Sequence, residues 1–195
     1  MSDSNQFMQA INAFVDKYQR NAEAVVKVAS MRILAKLVDI SPVGNPELWK
    51  VNKTARDYND AVFEHNEMLR LDPDNLTPKR KWLKKRARVN DSMDYYKPPG
   101  YTGGAFRGNW QVSFNEPAEG ETHRIDKKGN MTKAVGNLMI DQFHVGMKSI
   151  YFTNNRPYAY KLEFGHSSQA PNGMIRITAE EAASMFRESA AEVNK

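Results

Sequence analysis

Between Phe7 and Pro42 the chain contains neither proline nor glycine. Over that run apolar residues recur at Phe7, Ile11, Phe14, Tyr18, Ala22, Val25, Ala29, Ile33 and Leu37. Steps of three and four hold these on one face of an α-helix. Asp3 and Gln6 are spaced as a capping box at its start. A helix of roughly 33 residues is about 50 Å long, more than a small domain can cover, so it reads as a spine that packs on its own sheet and on a neighbouring subunit. The alternative is two shorter helices with a bend near Arg20-Asn21. Ser41-Pro42-Val43-Gly44-Asn45-Pro46 ends the pattern, because a residue before proline is pushed out of helical geometry.

A second, more polar helical pattern runs from Glu47 to Leu71 and closes at Asp72-Pro73-Asp74. Thr77-Pro78 then predicts a short basic helix, with proline at the favoured first position. Lys79, Arg80, Lys81, Lys84, Lys85, Arg86 and Arg88 place seven cations in ten positions, with Trp82 and Leu83 as a small apolar anchor. Such a segment is a candidate DNA contact through phosphate charge; the alternative is a solvated helix paired with acidic neighbours. Pro98-Pro99-Gly100 reads as a stiff linker, so residues 44–101 look like a helical excursion inserted into one domain spanning 1–195.

The remainder is β-rich. Asn109–Phe114 alternates as a strand, with Trp110, Val112 and Phe114 on one face. Residues 115–130 carry turn signals and read as a long loop or mobile hairpin. Residues 131–145 fit neither period well; a helix interrupted at Gly136 is the reading there. Lys148–Thr153 is the next strand. The stretch Tyr151–Ile177 reads as two extended pieces, the second at Met174–Ile177, joined by an aromatic connection with turns at Asn154–Pro157 and Gly165. Thr178-Ala179-Glu180-Glu181 is a capping box for a last helix reaching about Val193. Together these predict an α+β fold: a long first helix on a small antiparallel sheet, a C-terminal helix, and a helical insertion between first helix and sheet.

Chemistry is sparse. With no cysteine, disulfides, thiol catalysis and cysteine-bound zinc are excluded, and a reducing cytoplasm fits. His65, His123, His144 and His166 lack the spacing of a zinc site, Gly103, Gly104 and Gly108 form no phosphate loop, and no serine sits in a nucleophile elbow. The expectation is therefore no catalytic residue, no metal and no cofactor. Glu163, between Leu162 and Phe164, would be a catalytic acid only if burial raised its pKa; otherwise it pairs with Arg156 or Arg176. The aromatic group Tyr151, Phe152, Tyr158, Tyr160 and Phe164 suits base stacking or subunit contact. The mean hydropathy of −0.68 predicts that part of the chain is exposed or ordered only in an assembly; the absence of any apolar run near ~20 residues predicts no membrane span, and MSDSNQF lacks the basic and apolar parts of a secretory signal. The net charge of +5 is modest.

Three pieces of the chain carry a resemblance: Ser41-Pro42-Val43, then Gly103-Gly104-Ala105-Phe106-Arg107-Gly108-Asn109-Trp110, and above all Asn154–Arg176. They resemble the tail-completion (neck, head–tail joining) proteins of lambdoid and related long-tailed bacteriophages. In those proteins a Pro-Val-Asp-Thr-Gly-x-Leu-Arg segment follows the first helix, and an Asn-x-x-Pro-Tyr-Ala-x-x-Leu-Glu-Tyr-Gly-x-Ser-x-Gln-Ala-Pro-x-Gly stretch follows a strand. The second pattern is matched by Asn154–Gly173, with Phe164 in place of the tyrosine. The first is split by the excursion, with Thr102-Gly103 nearest its Thr-Gly and Phe106-Arg107 standing for Leu-Arg. The resemblance covers the first helix and Thr102 onward.

It implies a non-enzymatic structural protein of the virion, made in the bacterial cytoplasm, that closes into a six-fold ring at the head-proximal end of the tail. Its partners would be itself, the tail-tube protein, the head–tail connector, and DNA in the lumen. Asn155, Pro157, Tyr158, Tyr160, Glu163, Phe164, Gly165, Gln169, Pro171 and Gly173 would define the fold or the subunit interface. The alternative function is nucleic-acid binding through the basic segment 78–88.

Overall fold

The computed structural model describes residues 2–79 and 81–195, with side chains described from residue 5 onward. The Asp3 side chain of the expected capping box and Arg80 of the basic segment lie outside the described residues. The fold is α+β, and the chain divides into two compact units: residues 1–43 with 102–195, and residues 44–101.

In the first unit, α1 (Ser2–Ile40) is one unbroken helix of 39 residues, about 58 Å long. It is not divided into two helices at Arg20-Asn21. Its C-terminal half is buried by the rest of the unit. Leu34, Leu37 and Val38 join Phe106, Trp110, Val112, Ile140, Ala170 and Met174 in the core. The strands β1 (Trp110–Phe114) and β2 (Ile150–Asn154) pair antiparallel, with Trp110 opposite Asn154 and Phe114 opposite Ile150. As the alternation predicts, Trp110 and Val112 face the core; Phe114 lies half-buried against Phe143, ring centroids 6.1 Å apart.

Helix α3 (Asn130–Ile140) runs straight through Gly136. The glycine does not interrupt it, because its bare Cα is where α1 crosses: a Cβ there would lie 2.2 Å from Leu34 Cδ2. Residues 115–129 are irregular. Asp126 ties their end to α3, its carboxylate accepting from the Gly129 and Thr132 N–H groups at 2.8 Å and the Thr132 hydroxyl at 2.9 Å. Burial pushes the pKa of Asp126 up, but these donors outweigh it and leave the group below the ordinary carboxylate value.

A short helix α4 (Ala159–Glu163) leads to α5 (Ile175–Val193). Met174–Ile177 is therefore not a strand but the entry and first turn of α5, and Thr178 lies inside the helix rather than capping it. The Thr178 hydroxyl donates back to the Met174 carbonyl at 2.8 Å. Helix α5 runs antiparallel to α1. Arg32 pairs with Glu188 and Glu192, Lys36 with Glu181 at 3.0 Å, and Asn21 bonds Asn194 at 3.2 Å. Since α5 ends there, every described residue of α1 from Asn5 to Arg20 is exposed.

The second unit centres on α2 (Lys53–Arg70). Asn52, Asn59 and Asn66 stand seven residues apart, two helical turns, and so share one face. Each carboxamide binds the backbone of the extended segment 89–96 twice. Asn52 donates to the Tyr96 carbonyl and accepts from its N–H, both at 2.8 Å. Asn59 does the same with Met93, at 3.0 and 2.8 Å, and Asn66 with Val89, at 2.9 and 2.8 Å. A chain with no strand to pair with thereby has its polar backbone satisfied by side chains.

The basic segment belongs to this unit and is not a helix. Its described residues form turns around an isolated antiparallel bridge between Leu76 and Leu83, with Thr77 N–H donating to the Trp82 carbonyl at 2.8 Å and Lys84 N–H to the Asn75 carbonyl at 2.7 Å. Like charges three and four positions apart, such as Lys81 with Lys84 and Lys85, oppose the helix that Pro78 would start.

Candidate functional site

The turn-forming stretch 154–176 wraps the end of β2 and feeds α5. Its organising group is Glu163, at the end of α4. One carboxylate oxygen accepts from the Met174 N–H at 2.8 Å and the Ile175 N–H at 2.9 Å, and the other from the Arg176 N–H at 3.1 Å. These are donors that the first turn of a helix leaves unsatisfied, and the side chain of Met174, the N-cap, cannot serve them. Only 12% of the Glu163 side chain is exposed. Burial pushes its pKa up, but the three N–H donors and the Arg176 charge outweigh this and hold it below the ordinary value. A general acid would need the opposite shift.

Of the two cations expected for Glu163, Arg176 stands beside it, Nε to Oε1 at 3.7 Å, and also donates to its carbonyl at 3.0 Å. Arg156 pairs instead with Glu121. Gly173 has φ +80°, and a Cβ there would come within 2.5 Å of the Glu163 carbonyl oxygen, so the carboxylate reaches the helix only across a glycine. Gly165, also left-handed, turns the chain after Phe164.

The three segments singled out by resemblance meet around the C-terminal end of α1. The Ser41 hydroxyl donates to the Leu37 carbonyl at 2.6 Å and accepts from the buried Trp110 indole N–H at 2.7 Å. The Arg107 guanidinium donates to the carbonyls of Ser41 at 2.6 Å, Asp39 at 3.1 Å and Lys127 at 2.8 Å, placing a cation where the helix carries its partial negative charge. Gln169 grips Val43 from the other side, its Nε2 donating to the Val43 carbonyl at 2.9 Å and its Oε1 accepting from the Val43 N–H at 3.2 Å. The Asn154 side chain donates to the Phe106 carbonyl at 2.9 Å and accepts from Asn109 at 3.1 Å. Asn155 donates to the Ala118 and Gly120 carbonyls at 2.7 and 2.9 Å.

These polar residues point inward and hold backbone. The aromatic ones do not. Tyr160 and Phe164 are 73% and 58% exposed, their rings 4.4 Å apart and the Arg176 guanidinium 5.3 Å over Phe164; Tyr158, 40% exposed, is divided between solvent and the buried Phe106, ring centroids 6.1 Å apart. Pro157 and Pro171 are exposed beside them. Asn109, expected as the start of the strand, instead closes a 3-10 turn at Arg107–Asn109 and is fully buried; Asp126, which the sequence did not single out, is an ordinary polar residue in a loop that only its distant partners mark.

Among the described residues no three His, Asp or Glu side chains are placed to hold a metal ion, and no helix is long and apolar enough to cross a membrane. In the second unit, Lys79, Lys81, Lys84, Lys85, Arg86 and Arg88 form no ion pair among the described residues; Lys84 Nζ donates to the Asp74 carbonyl at 2.7 Å, and Lys81 Nζ lies 5.8 Å over the Trp82 ring. Comparison of the chain with protein-family models, with characterised proteins and with solved structures finds no match.

Proposed function

We propose that this chain is a structural subunit of a bacteriophage neck, which completes the tail and joins it to the head connector as a ring. The observation that carries the reading is the meeting of Ser41–Val43, Phe106–Trp110 and Asn154–Arg176 at one polar hub. Segments that resemble one family separately, and lie far apart in the chain, are bonded to one another through Ser41, Arg107, Asn154 and Gln169. The hub leaves Tyr158, Tyr160 and Phe164 exposed on a braced loop, the kind of surface that subunit contacts use. In this reading Glu163 is a helix cap, no bond is made or broken, no cofactor is needed, and the partners are other copies of the chain, the tail-tube protein and the connector. The six-fold ring, the place in the virion and the synthesis in the bacterial cytoplasm rest on the resemblance alone.

Native mass spectrometry of the purified protein, alone and with tail-tube and connector subunits, tests it. A ring that joins either partner is the expected outcome; a chain that joins neither refutes the reading.

The described cations Lys79, Lys81, Lys84, Lys85, Arg86 and Arg88, which form no ion pair among the described residues, favour a second reading, contact with nucleic-acid phosphates, by a charged turn rather than a helix. It predicts DNA affinity that falls steeply with salt, each phosphate contact adding about 0.9 to the log–log slope. Replacing Lys81, Lys84, Lys85 and Arg88 with Glu should abolish that affinity; unchanged binding by this variant removes the segment from the function.

A further inference from the structure

The amino-terminal half of α1 extends beyond the rest of its own unit, and its described residues from Asn5 to Arg20 are exposed. Phe7, Met8, Ile11, Phe14, Val15 and Tyr18 lie along one side of it and are 65, 52, 42, 69, 44 and 69% exposed. Spacings of eleven residues, Ile11–Ala22–Ile33 and Val15–Val26–Leu37, fall about 20° past three full turns, so this side continues, with a slow drift, into the side that packs on the unit's own core. The helix thus carries one apolar stripe, half of it buried within the chain and half not.

We propose that this half of α1 docks on a second copy of this chain. Area and charge argue for that occupant. At about 200 Å² per aromatic ring, Phe7, Phe14 and Tyr18 together expose about 400 Å². Met8, Ile11 and Val15 add roughly 150 Å². Two stripes brought together remove about 1,100 Å² from water, above the ~1,000 Å² that a specific interface needs. Between Phe7 and Tyr18 the only charges are Asp16 and Lys17, which cancel, so two copies meet without repulsion. The polar side there is Gln9, Asn12, Asp16 and Lys17, with Arg20 just beyond, fewer cations than the lysine- and arginine-rich face with which an interfacial helix holds a lipid surface.

The inference rests on the assembly reading for its premise that copies meet; stripe against stripe is a two-fold contact, so α1 joins copies in pairs, in addition to any ring contact at the 157–173 loop. The test is analytical ultracentrifugation of the full chain across concentration, beside Phe14→Glu and the double variant Phe7→Ser/Tyr18→Ser. Circular dichroism checks that each variant stays folded, as solvent-exposed substitutions should. Self-association of the parent, weakened about 30-fold or more in both variants, is expected. A parent that stays monomeric at all concentrations overturns the inference. So does association that both variants retain, and so does binding to phosphatidylcholine/phosphatidylglycerol vesicles in place of self-association. Parent protein that associates through α1 yet joins no tail-tube or connector subunit sinks the neck reading and leaves this one standing.

Discussion

Removing the Glu163 carboxylate should uncouple α4 from α5. Glu163→Ala strips acceptors from three N–H groups, at 2.8, 2.9 and 3.1 Å. Hydrogen bonds to a charged group contribute ~1.5–3 kcal/mol, and loss of an N-cap costs ~0.5–2 kcal/mol. Water can replace the carboxylate at Ile175 and Arg176, which are exposed, but not at Met174, which is 1% exposed. The Arg176 pair adds little, since 58% of that side chain is in solvent. A net cost of about 3 kcal/mol follows, or a fall in Tm of about 6–12 °C for a chain of this length. Glu163→Gln keeps one acceptor oxygen and loses the charge; about 1 kcal/mol and 2–4 °C is expected.

The pH dependence has a defined sign. The folded pKa lies below the ordinary value, so the carboxylate's contribution is complete above the unfolded pKa, about 4.3, and is lost as pH falls through the folded pKa. The gap in Tm between parent and Glu163→Gln should be constant from pH 8 to 6 and shrink below about pH 4. Thermal melts followed by circular dichroism at 222 nm give both numbers. A Tm for Glu163→Ala within 2 °C of the parent, or a gap that ignores pH, would show that α5 starts without its distal cap.

Three further substitutions probe the frame around the site. Ser41→Ala leaves the Trp110 indole N–H, in a residue 3% exposed, without its acceptor; about 2 kcal/mol and a 4–8 °C lower Tm are expected, against no change if water substitutes. Gly136→Ala gains about 1 kcal/mol in helix propensity but sets a methyl 2.2 Å from Leu34 Cδ2. Overpacking of ~1–3 kcal/mol should therefore lower Tm, and a rise would mean that Leu34 yields freely. Asn59→Ala removes both side-chain bonds to Met93, so hydrogen exchange at the Met93 amide should quicken about tenfold; unchanged exchange would show that Asn52 and Asn66 hold the segment alone.

Much of the fold was legible because it is written in local periodicity. The 3–4 spacing and missing breakers determine α1, the alternation of Trp110, Val112 and Phe114 determines β1, and the turn at Pro42 determines where α1 ends. The elements that differed from expectation are those settled by partners distant in sequence. The β-branched run Met174–Ile177 looks extended by composition, yet begins a helix because a carboxylate eleven to thirteen residues earlier satisfies its free N–H groups. Gly136 looks like a helix breaker and is a point of close approach to α1. The segment 78–88 has good helix formers, but mutual repulsion and the Leu76–Leu83 bridge turn it back.

At the site, sequence marked which residues belong to the stretch 154–173 but not their division of labour. Asn154, Asn155, Glu163 and Gln169 hold backbone, Tyr160 and Phe164 face solvent, Tyr158 leans on buried Phe106, and only three-dimensional proximity sorts them. The same holds for the apolar stripe of α1. Its pattern is uniform along the helix, so the chain alone says that a face must be buried. That its second half is covered from within, and its first half is not, depends on α5 ending opposite Asn21, a matter of tertiary reach that no local spacing encodes.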